Sequence, residues 1–161
     1  MSWHCDGMGR FHRFLMRAPI GVYRVGLGGL LGRRFLLLEH IGRTTGLPRR
    51  AVLEVLETDA GGSPIIASGL GEASQWCRNI TANPTVAVTI GRRRERATAQ
   101  RLDRAAALAV FERYLRHHPR AAKLIGNKIG VSLVADLSMA ADKLPLFRLA
   151  IEPSEETRPR T

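Results

Sequence analysis

The chain has 161 residues, a length that suits one compact domain with a buried core and would cramp two. Hydrophobic residues make up 45% and charged residues 24%, which excludes wholesale disorder. A formal charge of +11 points towards anionic partners, but of the 25 basic residues only Lys123, Lys128 and Lys143 are lysines. So strong an arginine bias is what a GC-rich coding sequence produces, and no aromatic-interleaved basic stripe accompanies it, so nucleic-acid binding is not expected.

Residues Met1 to Arg10 lack the apolar core and small-residue cleavage site of a signal peptide. With only Cys5 and Cys77, far apart and outside any CxxC pair, neither a disulfide framework nor a metal site is implied, and a cytoplasmic location is expected. Phe14 to Leu31 is interrupted by Arg17, Pro19 and Arg24, so it is too short to span a bilayer. Ile20, Tyr23, Leu27, Leu30 and Leu31 recur at helical spacing. That stripe either packs over the end of the fold or makes peripheral contact with a membrane through residues 14–31.

Strands are predicted from Arg33 to Ile41, with its apolar run Phe35 to Leu38, from Arg50 to Glu57 and from Pro64 to Ser68, separated by the turn-rich stretches at 42–48 and 59–63. From Ala73 the spacing of Trp76, Ile80 and Asn83 predicts a short helix that stops at Asn83-Pro84, because proline disfavours helical geometry in the residue before it. Thr85–Ile90 alternates as a strand. Arg94 to Leu102 reads as a polar strand placed at a sheet edge. Asp103 should cap a helix that presents Ala107, Leu108, Phe111, Leu115 and His118 on one face. Helical pieces follow at 121–129 and 137–144, then a strand from Pro145 to Ile151. The fold expected is α+β, mainly β, a barrel of about six strands with an N-terminal helix and peripheral helices. One domain over residues 1–152, with a helical segment at 1–33 and a disordered tail at 153–161, completes the plan.

Gly26–Gly32 is one residue too long for a GxGxxG fingerprint and follows a helix where that fingerprint must follow a strand. His117 and His118 suit the negative end of a helix. His40, beside the Gly42 loop, reads as a hydrogen-bonded structural residue. No nucleophile triad or paired carboxylates can be assembled from local signatures, so the catalytic residues are unassigned. Chemistry carried by a bound cofactor is what remains.

Gly42-Arg43-Thr44-Thr45-Gly46 offers a guanidinium, two hydroxyls and a flexible backbone, with Arg49 and Arg50 close behind, groups that suit phosphate or carboxylates. In the same order follow Ala67-Ser68-Gly69, then Gln75-Trp76-Cys77-Arg78-Asn79-Ile80-Thr81-Ala82-Asn83-Pro84 and the strand Val86-Ala87-Val88. This ordered set of a GRxTG loop, an A-S-G loop, WxxNxxANP and V-x-V resembles the deazaflavin-dependent nitroreductases of the split β-barrel flavin/deazaflavin oxidoreductase superfamily. The resemblance is strongest from Phe35 to Ile90.

It implies a split β-barrel that binds coenzyme F420, an 8-hydroxy-5-deazaflavin, and passes hydride to a quinone, nitro compound or other unsaturated acceptor such as an enone. Arg43, Thr44, Thr45 and Arg49, helped by Arg50, would hold the phosphate and anionic tail. Ala67, Ser68 and Gly69 would border the ring, and Gln75, Trp76, Cys77 and Asn79 would line or buttress the pocket. Homodimerisation is implied by the same analogy. An FMN-binding oxidoreductase of the same barrel and a deazaflavin-binding protein without turnover are the alternatives. Thr44 and Gly69 stand where the family often has lysine, and Cys77 where it has tyrosine.

Overall fold

A computed structural model describes residues 34–118 and 137–152 of the chain. The expected N-terminal helix, the Gly26–Gly32 stretch, the helical piece at 121–129 and the tail at 153–161 lie outside these residues. Six strands form the fold: β1 (Phe35–Ile41), β2 (Pro48–Thr58), β3 (Pro64–Ala67), β4 (Thr85–Ile90), β5 (Arg93–Arg101) and β6 (Leu146–Ile151). Every neighbour is antiparallel, and the order β1-β2-β3-β6-β5-β4 closes back on β1 as a barrel. Three helices accompany it: α1 (Gln75–Ala82), α2 (Arg104–His117) and α3 (Leu137–Lys143). The chain is thus α+β, mainly β, with the split-barrel plan.

Strand alternation explains the interior. Leu36 and Leu38 of β1, Val86 and Val88 of β4, Ala97 and Ala99 of β5, and Phe147 and Leu149 of β6 all pack inward with Ile66. Cys77 and Ile80 of α1 join the same cluster, so the short helix plugs one end of the barrel. Leu37 is buried too, so β1 is covered on both faces as its unbroken apolar run implies. β2 carries a bulge between Val55 and Glu57, which lets this long strand bend from β1 towards β3. The seam between β1 and β4 is short: only Leu37–Glu39 are in register with Ala87–Thr89.

A second cluster lies outside the wall, where Ala107, Val110, Phe111 and Tyr114 of α2 meet Ile65, Leu146, Ala140 and Leu144. Asp103 caps α2 as expected, its carboxylate accepting from the Ala106 amide at 2.8 Å.

Two expectations need correcting. β5 is not at an edge, since it pairs with β4 on one side and β6 on the other. Its polar residues are the outward half of the alternation on a closed wall, so polarity marked a solvent face and not an unpaired side. The buried stripe of α2 also runs through Val110 and Tyr114 in place of Leu108 and His118, the latter being exposed. Tyr114 can be buried because its hydroxyl reaches Glu54 at 3.3 Å.

On the outer wall Glu39 accepts from Arg94 at 2.6 Å and from Arg50 at 3.0 Å. Burial pushes its carboxyl up, but these two guanidiniums outweigh that and hold its pKa below the ordinary carboxylate range. A lowered folded-state pKa contributes stability above the unfolded value of roughly 4, and that contribution is lost as pH falls through the folded value. Glu39→Gln should therefore lose about 1–2 kcal/mol at pH 7 and show a shallower acid decline than wild type, as measured by urea unfolding from pH 7 to 3.

Gly71 and Gly46 both have positive φ, at 57° and 66°. A Cβ on Gly71 would meet the Lys143 carbonyl oxygen at 2.8 Å, whereas one on Gly46 would meet nothing within 4 Å. Gly46→Ala should cost about 1 kcal/mol for the left-handed backbone alone, and Gly71→Ala at least about 2 kcal/mol. Thermal unfolding of the two variants gives the comparison.

Candidate functional site

The end of the barrel plugged by α1 is also where β1 hands over to β2. Gly42 donates to the Leu47 carbonyl at 2.9 Å and Gly46 to the Gly42 carbonyl at 2.8 Å, folding the loop back on itself. The Thr45 hydroxyl accepts from the Leu47 amide, and a Cβ on Gly42 would sit 2.9 Å from that oxygen. A side chain at Gly42 would displace the Thr45 hydroxyl, and the positive φ favours glycine at Gly46. The turned loop exposes Arg43, Thr44 and Thr45.

Gln75 and Asn79 lie at i and i+4 on α1 and so share a face. Asn79 Oδ1 accepts from the Arg43 main-chain amide at 3.1 Å and from Arg43 Nη1 at 3.0 Å, while Gln75 Oε1 accepts from the same Nη1 at 3.0 Å. The other side of the Asn79 amide, Nδ2, stands 3.2 Å from His40 Nδ1. Arginine and a main-chain amide can only donate, so Oδ1 must face Arg43 and Nδ2 must donate to His40. The imidazole therefore accepts at Nδ1 and carries its proton on Nε2. His40 and Asn79 are both buried. Burial pushes the pKa of His40 down, a backbone hydrogen bond at Ile41 offsets part of this, and Arg49 adds to the lowering, so the ring is neutral at pH 7.

Arg49 is registered opposite His40 across the β1–β2 pair and therefore lies on the same face of the sheet. Arg34, Arg50, Arg93, Arg94, Arg101, Arg104, Arg113 and Arg148 are each paired with a carboxylate. Arg49 has no ion pair among the described residues, and Arg43 donates to neutral amides. Two uncompensated cations thus stand beside a glycine loop with two hydroxyls, a donor set that fits an anion.

The remaining expected residues divide. Arg50 turns to the other face of the sheet and is held by Glu39. Ser68 is fully buried, donating its hydroxyl to the Gly71 carbonyl at 2.7 Å and its amide to Pro145 at 2.9 Å, so it shapes the turn after β3. Ala67 packs against the outer cluster, and Gly69 is exposed at the rim. The Cys77 thiol is fully buried, and burial, with Glu72 adding to it, pushes its pKa up, so it stays protonated. Trp76 is half-buried with its ring edge-on to Phe147 at 6.1 Å, a core contact that leaves part of the indole open at this end. Leu47 and Leu70 are 58% and 63% exposed on adjacent loops of the same rim.

His40 is the member that sequence reasoning left outside the site. The signal was available: it falls in the inward register of Leu36 and Leu38, where a polar side chain needs a specific partner. Among the described residues there is no group of His, Cys, Asp and Glu that could hold a metal ion.

The family described as F420H(2)-dependent quinone reductase matches residues 16–134. No curated protein matches the chain significantly. Among solved structures, an F420-H2 dependent reductase (FDR-A) is 22% identical, with 75% of this chain and 96% of that one covered and a TM-score of 0.53. The protein Atu2129 of unknown function from Agrobacterium tumefaciens is 20% identical, covering 85% of this chain but 56% of its own, with a TM-score of 0.57. HutZ, a heme storage protein from Vibrio cholerae, is 17% identical over 76% of this chain and 84% of its own, with a TM-score of 0.54. At such identities these structures share the fold.

Asn79→Leu would leave both the Arg43 amide and buried His40 without a partner and should cost about 2–4 kcal/mol, with loss of exchange protection at the Arg43 amide. Gln75→Ala, which removes one exposed acceptor, should cost less than about 1 kcal/mol. Hydrogen exchange with denaturant unfolding distinguishes them.

Proposed function

The chain belongs to the F420H(2)-dependent quinone reductase family and is an F420-dependent oxidoreductase, and on that premise we propose that Arg43, Thr44, Thr45 and Arg49 bind the coenzyme's anionic groups for hydride transfer to a quinone. The observation that carries this reading is the pair of guanidiniums at the glycine loop that have no carboxylate partner among the described residues, one of them held between Gln75 and Asn79. The residues present fit the coenzyme's chemistry: cations and hydroxyls for its phosphate and tail, and a half-buried indole on the same helix as Gln75 and Asn79 for a flat ring.

When bound, coenzyme F420 in its reduced form supplies a hydride from its deazaflavin ring. The protein's part is binding and orientation. Arg43 meets its ligand already ordered, because its Nη1 and main-chain amide are fixed by α1, so little side-chain entropy is lost on binding. Thr44 and Thr45 add hydroxyls, and Arg49 adds a second charge from the inner face of β2. Trp76 borders the ring, while Ser68 and Cys77 act from beneath by fixing the loop and the plug. Arg50, neutralised by Glu39, contributes least.

A quinone is favoured as acceptor by the family and by the exposed apolar side chains of Leu47 and Leu70 on the rim, which suit a flat lipophilic molecule. No helix among the described residues is long and apolar enough to cross a membrane. A peripheral contact of residues 14–31 with a lipid surface would bring the site to a membrane-dissolved quinone. One domain over residues 1–152, paired as a homodimer, completes the proposal.

Purified protein titrated with F420 and FMN side by side should bind F420 in the micromolar range and more tightly than FMN. Arg43→Ala and Arg49→Ala should each weaken F420 binding by about tenfold or more, Arg50→Ala by less than about threefold, and added salt should reduce the Arg43 and Arg49 effects. Undiminished binding by both variants would remove the site from consideration. With reduced F420 in hand, menadione should be turned over faster than a nitroaromatic or an enone.

A further inference from the structure

Asn79 hydrogen-bonds both the imidazole of His40 and the loop that carries Arg43, and its amide has no spare orientation. We propose that His40 is a positioning residue of the F420 site, whose neutral imidazole, accepting at Nδ1 from Asn79, keeps Asn79 Oδ1 turned towards the amide and guanidinium of Arg43. This rests on the reading that Arg43 binds the coenzyme's anionic groups.

The coupling follows from donor and acceptor counting. A neutral histidine has one acceptor nitrogen; an imidazolium has none. Protonation of His40 would set Nδ1–H against Asn79 Nδ2–H2. Turning the Asn79 amide over would relieve that clash only by presenting NH2 to the two donors of Arg43. Either the His40 contact or the Arg43 contact must break, and because His40 and Asn79 are both buried, either loss leaves their side chains short of a partner. If the amide turns over, Gln75 alone holds the guanidinium and the Arg43 main-chain amide loses its acceptor; if it does not, Asn79 loses the contact that fixes its orientation.

A backbone hydrogen bond at Ile41 favours protonation of the imidazole, but burial and the neighbouring cations oppose it and prevail. Arg49 faces it from β2, and Arg43 stands across Asn79. From α1 come the neutral Gln75 and Asn79 and the protonated thiol of Cys77, and the inward residues of β4 are Val86 and Val88. Glu39, next in sequence, points to the other face into Arg50 and Arg94. With its pKa lowered by burial, His40 remains neutral until pH falls below the ordinary histidine value of about 6.5, and the network is lost only beneath that point.

Imidazole nitrogen NMR of the wild-type protein without coenzyme gives the first test. At pH 7.5 His40 should be unprotonated at Nδ1 and protonated at Nε2, and on acidification the Arg43 amide and guanidinium signals should follow its titration. A proton on Nδ1 at pH 7.5, or Arg43 signals indifferent to His40, would overturn the proposal. The second test is F420 affinity between pH 5 and 8 for wild type, His40→Asn and His40→Leu. Asparagine keeps an acceptor in the Nδ1 position but does not titrate, so His40→Asn should bind within about threefold of wild type at pH 7.5 and lose less affinity on acidification. The coenzyme's own ionisations act on both proteins alike. His40→Leu should lose about tenfold or more across the range. Identical pH profiles for wild type and His40→Asn, while Arg43→Ala still loses affinity, overturn the role of His40 alone; unchanged affinity in Arg43→Ala overturns the site itself.

Discussion

One buried amide sets the geometry of this end of the barrel. Asn79 accepts twice from Arg43 and donates to His40, so the side chain joins the last turn of β1, the glycine loop and the plugging helix through three directed bonds. Movement of any of the three elements against the others would break at least one of these bonds, one of which, to His40, is buried. The helix is too short to be stable by itself. It is held by Cys77 and Ile80 in the core on one side and by this amide on the other.

Electrostatic reading of the chain changes once positions are known. The net charge of +11 suggests a generally sticky surface, yet on the described wall most carboxylates are already engaged by arginine. Those pairs are exposed on the arginine side and contribute modestly to stability, but they cancel local fields. Arg78, Arg92, Arg96 and Arg116 also carry no ion pair among the described residues, but Arg43 and Arg49 stand together at the glycine loop with only neutral neighbours at hydrogen-bond range or none at all. Local imbalance, and not the total, marks the anion site.

Much of the fold was legible because its signals are local. Alternation located the strands, Pro84 ended the helix, and Asp103 began the next. Closure of the barrel was less legible: β5 looked like an edge because polarity on one face of a strand cannot tell solvent from a missing neighbour. The face of α2 was misjudged through Tyr114, whose burial depends on Glu54 from a distant strand. At the site, the glycine loop and WxxNxxANP were evident as a pair, but two facts needed three dimensions. Adjacent arginines in a strand point to opposite faces, which separates Arg49 from Arg50. A histidine in an inward register acquires meaning only from what faces it.

The short β1–β4 seam gives the Asn79 bridge a second consequence, in the order of assembly. β1 and β4 must find each other across the intervening hairpin, turn and helix, and they share only three registered residues when they do. Such a long-range closure with few ladder bonds is a late and slow event in a chain that otherwise forms by neighbouring antiparallel contacts. Asn79 lies just before β4 and binds Arg43 just after β1, 36 residues earlier. The bond that orders the loop therefore also spans the seam and fastens the cylinder where its ladder is thinnest. Completion of the barrel and completion of the binding loop become one step, so a chain that has not closed has no formed loop to offer a ligand.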